Sequence, residues 1–323
     1  TGEAVDAAVL QCFRHPEGAE LAGAVIWVIG RNDCFMHPHV AGRLFLDADA
    51  EGGRKAYDVY IMNYSADGAT RSRGLVPNPL FNSHCRSGNF DDYVSQIEQA
   101  LKVIAETRDY DTLMGYAHST GGPVLLNYLI ERGDNDFDGF VFNSPFLDWG
   151  HVGGDIVEVA LESVGFLEKV HLLGMDNTPA GVSSTPEQIA DTPVTYLGTE
   201  VVPSAWSSKI WSHYEFPWGS RPLYDVPVTV GFAKGVTDVH RKIEECRKKK
   251  RAITSRPFLV ITSRGDDVLK ASETTSRADW IGPGRCEVEL HHNGHDVFLS
   301  QDVRDTELAI KTVEAWMKCY GFH

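Results

Sequence analysis

Apolar positions along the chain fall into two alternating rhythms. Residues 22–30, AGAVIWVIG, form an unbroken apolar run ending in glycine, the pattern of a strand buried on both faces. AYDVYIMNY (56–64), DTLMGYA (111–117) and GFVFNS (139–144) predict three more strands. Between them the spacing is helical. Residues 90–107 place apolar side chains three and four apart behind Asp91 and Asp92, and 122–133 closes on a glycine. The alternation resumes late in the chain with a helical stretch near 232–250 and a strand over 256–263. A helix near 270–280, a strand over 286–292 and a final helix over 302–318 complete it. Strands and helices in turn predict an α/β protein, a mostly parallel sheet flanked by helices.

The rhythm breaks over 146–225, which is rich in Gly, Pro, Ser, Thr and Trp. The simplest reading is one core built from residues 1–145 and 251–323, split by a cap inserted over 146–250. Insertions of that length in a compact domain are usually functional, often as lids. No internal repeat or low-complexity tract is evident.

Charge narrows the partners. With 30 Lys and Arg against 45 Asp and Glu the formal charge is −15, which repels nucleic-acid phosphates and anionic lipid heads. The basic run Arg247–Arg251 is short and reads as a solvated helix end. Six cysteines at 12, 34, 85, 246, 286 and 319 form no CxxC pair and point to a reducing compartment, so a cytoplasmic location is expected. The sequon Asn63-Tyr64-Ser65 is weak evidence for secretion. TGEAVDAAVLQCF at the start carries no basic-then-apolar leader, which leaves open one removed before Thr1. No apolar run reaches the ~18–20 residues needed to span a bilayer.

The chemistry concentrates at GYAHSTGGPVLLNYL (115–129). A strand runs into His118-Ser119-Thr120, then two glycines, then a helix. This is the context of a nucleophile elbow: the turn strains the serine backbone, so positions two residues either side must be small, here Ala117 and Gly121. The turn lifts the Ser119 hydroxyl above the carboxyl edge of the sheet, and the following helix sets its first N–H groups, that of Thr120 included, where an oxyanion would form. His118 beside the nucleophile reads as an elbow residue that borders the substrate.

A nucleophile of this kind needs an acid and then a histidine, in that chain order. The strand over 256–263 is followed by Arg264-Gly265-Asp266-Asp267. Asp266, the first of the pair, is the expected acid, with Asp267 the alternative. The strand over 286–292 is followed by Asn293-Gly294-His295-Asp296, and His295 is the expected base. His291 and His292 are rivals that lie in the strand. His292-x-x-His295 also has the spacing of a metal pair, but no third ligand is suggested. The second oxyanion donor should come from the loop after the first long strand. There the backbone N–H of Arg31 is the candidate, and Gly30 permits close approach.

In combination these motifs resemble the serine α/β-hydrolases of the monoglyceride-lipase and serine-aminopeptidase-like group, including bacterial and fungal members called simply alpha/beta hydrolases. The resemblance covers roughly 20–318. It rests on IGRNDCF (29–35), AHSTGG (117–122), FNSPFLDW (142–149), GDDVLK (265–270) and NGHDVFLS (293–300). The alignment of GDDVL favours Asp266 over Asp267. Ile29 stands where the family has histidine, Ala117 where it has glycine, and the loop over 65–89 is longer than the family's.

The resemblance implies an α/β-hydrolase fold and a serine hydrolase that cleaves a lipid-like or specialised-metabolite ester, with no metal or organic cofactor. Ser119, His295 and Asp266 would form the triad, and the Arg31 and Thr120 amides the oxyanion hole. Trp149, Trp211 and Trp218 are expected to line the substrate pocket under the cap. Peptidase, lactonase, acyl-transfer or lyase chemistry in the same pocket, or ligand binding without catalysis, are the alternatives.

Overall fold

The computed structural model describes residues 9–30, 37–46, 56–63, 90–149, 195–196, 199–200, 230–266, 268–300 and 302–322. The elements run β1 (Val9–Phe13), β2 (Leu21–Val28) and α1 (Pro38–Ala41), which continues into a π-helical turn, Gly42–Leu46. Then come β3 (Ala56–Asn63), α2 (Phe90–Thr107), β4 (Leu113–His118), α3 (Gly121–Arg132) and β5 (Gly139–Asn143). Two short strands, β6 (Thr195–Tyr196) and β7 (Thr199–Glu200), pair with each other. The chain closes with α4 (Val230–Lys248), β8 (Phe258–Ser263), α5 (Ala271–Ala278), β9 (Arg285–Leu290) and α6 (Val303–Tyr320).

Seven strands form one sheet in the order β1-β3-β2-β4-β5-β8-β9. All neighbours are parallel except β1, which runs antiparallel to β3 at the edge. The apolar runs read from the sequence become the central strands because helices cover both of their faces. Residues 24–28 of β2 and all of β5 and β8 are buried. Trp27 and Tyr116 lie on neighbouring strands with ring centroids 3.7 Å apart, and Phe142 meets Phe258 edge to face.

Helix α2 buries Phe90, Tyr93, Val94, Ile97, Ala100, Leu101 and Ile104, the stripe its spacing predicts. Helix α3 differs. Residues 121–129 are buried on every side, because α2 and α4 both pack against it. Helix α4 belongs by sequence to the expected cap, yet its Lys242 ammonium donates to Asn127 and Glu131 of α3. The rest of the expected cap, apart from β6, β7 and residues 146–149 and 249–250, lies outside the described residues.

One strand carries no clear sequence signal. β1 is five residues long, and its place is fixed by pairing and by a buried charge. Asp58, fully buried in β3, accepts from the backbone N–H of His15 at 2.7 Å and from the Tyr110 hydroxyl at 2.7 Å. The His15 imidazole and the Arg108 guanidinium lie 3.0 and 3.3 Å from its oxygens. This cluster ties the turn after β1 to the amino end of the sheet.

Candidate active site

The connections from β2 to β3 and from β4 to β5 leave in opposite directions across the sheet. The carboxyl ends of β2 and β4 therefore flank a topological switch point, where open α/β sheets form their ligand crevice. Gly30 follows β2 there and is buried. Ser119 follows β4.

Ser119 has φ 51°, a left-handed conformation that is strained for a residue with a Cβ. The strain is held from three sides. Its N–H donates to the carbonyl of Asn143 at 3.0 Å, and its own carbonyl accepts from the N–H groups of Gly122 and Phe146, both at 2.9 Å. Ser144, in the corresponding place after β5, has φ 41° and donates its N–H to Ile261. The sharp turn presses the start of α3 onto the end of β2. A Cβ on Gly121 would lie 2.4 Å from the carbonyl oxygen of Val28. Ala117 is fully buried in β4. Thr120 sits in helical conformation as the residue before α3.

Asp266 and His295 meet on the same rim, at the ends of β8 and β9. His295 Nδ1 lies 2.8 Å from Asp266 Oδ2. The other carboxylate oxygen of Asp266 accepts the backbone N–H groups of Val268 and Leu269, each at 2.8 Å. The carboxylate is thereby fixed, and the ring must present Nε2 on its far side. That Nε2 is buried and makes no hydrogen bond among the described residues, Ser119 Oγ included. Base–nucleophile contacts often tighten only when substrate is bound. The imidazole does lie at the elbow: its centroid is 5.1 Å from that of His118, the residue before Ser119.

His118 ends β4 and is 1% exposed. Trp149 is buried too, edge-on to Phe146 at 4.9 Å, with its indole N–H donated to the Thr237 hydroxyl of α4. Its position joins the chain after β5 to α4. Arg31, Asp267, Trp211 and Trp218 lie outside the described residues.

A scan of protein-family models matches residues 53–302 to the model described as "Serine aminopeptidase, S33". The chain belongs to the serine aminopeptidase S33 family. No curated protein sequence matches it significantly. The fold of this S33 member is the α/β-hydrolase fold, and solved structures share it. A monoacylglycerol lipase from Paleococcus ferrophilus aligns with TM-score 0.60 at 14% identity, over 97% of this chain and 99% of its own. A soluble variant of the monoglyceride lipase of Saccharomyces cerevisiae, in complex with a substrate analogue, aligns with TM-score 0.60 at 14% identity, over 99% and 94%. A carboxyl esterase from Bacillus coagulans also gives TM-score 0.60 at 14% identity, over 96% and 94%.

Reading the S33 motifs one residue at a time misses Asp296, the neighbour of His295. Its carboxylate turns away from Asp266 into the sheet. Oδ2 is 2.6 Å from His37 Nε2 and 3.8 Å from His118 Nδ1. Oδ1 accepts from Asn143 Nδ2 at 2.9 Å and from the N–H of Phe298 at 3.1 Å. Burial alone would raise this carboxyl's pKa. The electrostatic influence of the His37 and His118 imidazoles and hydrogen bonds from His37 and Asn143 outweigh it and hold the group well below the usual carboxylate range. The only sequence signal was an acid beside the expected base, and nothing in the spacing linked it to a histidine 259 positions away.

Proposed function

We propose that the protein is a serine hydrolase that cleaves a carboxylic ester, with Ser119 as nucleophile, His295 as general base and Asp266 as the acid that orients it. The observation that carries this reading is the pairing of two features on one rim of the sheet. One is a serine in left-handed conformation at a strand-to-helix elbow. The other is a buried histidine bound through Nδ1 to a fixed carboxylate, with Nε2 unspent.

Ser119 Oγ forms a bond to the acyl carbon as its proton passes to His295 Nε2. Asp266 holds the tautomer that leaves Nε2 able to accept, and it stabilises the imidazolium. Negative charge gathers on the carbonyl oxygen, facing the Thr120 N–H at the start of α3 and the N–H of Arg31 beyond Gly30. Losing one such donor typically costs about 10²–10³ in rate. The imidazolium then gives its proton to the leaving alcohol as the C–O bond breaks. Water then adds to the acyl carbon as its proton passes to Nε2, and that proton returns to Ser119 Oγ as the acyl–Oγ bond breaks and the acid leaves. Residues 146–250 would cover the crevice, with Trp211 and Trp218 lining an apolar acyl pocket. The lipase and esterase neighbours support an ester substrate. The family's description favours the second reading, hydrolysis of an N-terminal aminoacyl bond by the same three residues.

The test is a panel of p-nitrophenyl esters of graded chain length beside aminoacyl-p-nitroanilides, with Ser119→Ala as control. Esters should be turned over and the variant should be slower by at least about 10³-fold. Turnover of anilides alone would select the second reading. Equal rates in wild type and Ser119→Ala would remove Ser119 as nucleophile.

A further inference from the structure

We propose that Asp296 is a positioning residue: through His37 its buried carboxylate clasps the loop that carries His295 to the chain that enters α1. This rests on the reading of Ser119 and His295 given above, and it assigns the site a part that reading does not contain.

The two acids of the His295 loop face opposite ways. His295 reaches outward to Asp266, while Asp296, 3% exposed, points back among three other elements. His37 opens the chain into α1 and is the first described residue after segment 31–36, whose Arg31 N–H is the proposed oxyanion donor. Asn143 ends β5 and is the residue whose carbonyl holds the Ser119 N–H. His118 ends β4 and directly precedes Ser119. One carboxylate thus contacts the base loop, the strand that carries the nucleophile and the residue that leads into α1.

A second tie runs beside the first. His39 Nε2 donates to the carbonyl of Phe298 at 3.1 Å. Segments 37–39 and 296–298 are therefore joined twice, across more than 250 residues of chain. Gly30 is buried after β2, and the clasp holds His37, where the chain enters α1.

A buried carboxylate is a costly way to fill space, since desolvation is repaid only by close, well-directed partners. Asp296 has them on both oxygens. Oδ1 accepts two N–H groups and Oδ2 faces His37 and His118. An amide fits less well. An NH2 in place of Oδ1 would meet two fixed donors, Asn143 and Phe298, and one in place of Oδ2 would set a neutral group where a carboxylate lies 2.6 Å from His37 Nε2. Asp296→Asn keeps the shape and weakens the clasp. The titratable groups around Asp296 are His37, His118 and His295, with His39 beyond His37 and Tyr116 behind Asn143.

The clasp sets how the base loop lies relative to the end of β5 that holds Ser119 and to the chain entering α1, so its loss should appear in the transition state more than in substrate binding. Steady-state hydrolysis of p-nitrophenyl butyrate, with thermal melts to establish the folded fraction, is the experiment. Asp296→Asn should lower kcat by about 10- to 100-fold with KM changed less than about threefold. His37→Leu should match it, and the double variant should be no worse than the poorer single, because the two side chains act as one unit. His37→Gln, whose amide can still donate to the carboxylate, should recover most of the rate lost in His37→Leu.

If Ser119→Ala is inactive while folded Asp296→Asn has wild-type kcat, the clasp proposal falls and the serine reading stands. If Ser119→Ala is as active as wild type, both fall. Should Asp296→Asn fail to fold, the His37 pair decides. Equal kcat in folded His37→Gln and His37→Leu overturns the proposal, and recovery in the Gln variant alone supports it.

Discussion

Replacing Gly121 with alanine would set a Cβ 2.4 Å from the carbonyl oxygen of Val28 and 2.7 Å from that of Ile29. Ordinary contact begins near 3.4 Å, so helix α3 and the end of β2 would have to part by about 1 Å. Both obstacles are backbone, and neither can rotate aside. Overpacking costs about 1–3 kcal/mol, and a backbone clash belongs at the top of that range, about 3 kcal/mol. With an unfolding entropy of about 2.1 cal/mol/K per residue across the chain, Tm should fall by about 4 °C. The effect on rate should be larger. A displacement of about 1 Å separates the start of α3 from the end of β2, and misplacement on that scale costs about 10²-fold. The assay is a thermal melt and ester hydrolysis of Gly121→Ala, compared with Gly294→Ala. Gly294 lies next to His295 but has nothing within 4 Å of its would-be Cβ. Its variant should stay near wild type in both. Wild-type melting and rate in Gly121→Ala, or equal damage in the two variants, would refute the steric account of the elbow.

Other expectations concern stability. His240 is buried, and burial above all lowers its pKa from 6.5 to about 4, although its Nε2 lies 2.8 Å from the Phe146 carbonyl. Since the unfolded chain takes up that proton near pH 6.5, its contribution is complete above that pH and is lost as pH falls toward 4, by up to about 3 kcal/mol. Denaturant midpoints at pH 7 and 4.5 should therefore differ less in His240→Gln than in wild type, and equal differences would sink the assignment. Asp58→Ala leaves the half-buried His15, Arg108 and Tyr110 without the carboxylate they share. It should cost about 3–5 kcal/mol by chemical denaturation. The cluster sits at the amino end of the sheet, away from the carboxyl rim, so kcat of the folded fraction should not change; a loss of kcat at full stability would contradict this. Trp149→Phe, which removes the indole bond to Thr237, should cost about 1 kcal/mol in the same assay. No destabilisation would mean that the bond contributes nothing.

Hydrophobic periodicity by itself determined the α/β class and the long elements, because burial on both faces of a parallel strand and on one stripe of a helix is written in consecutive residues. The predicted helix over 90–107 is α2, Phe90–Thr107, and the predicted strand over 22–30 is β2, Leu21–Val28. The elbow was legible for the same reason: small residues at 117 and 121 record a local steric demand. Asp266 and His295 could be nominated only by their order after successive strands, and the pairing of their side chains is a tertiary fact. What depends on distant contacts left no periodic trace. Strand β1 exists because β3 and Asp58 hold it. Helix α4, within the expected insertion, lies on α3. The meeting of Asp296 with His37 required the sheet to bring residues 259 positions apart within 2.6 Å. A pattern along the chain reports which face of an element is dry, while the partner of a buried charge is chosen only when those dry faces close on one another.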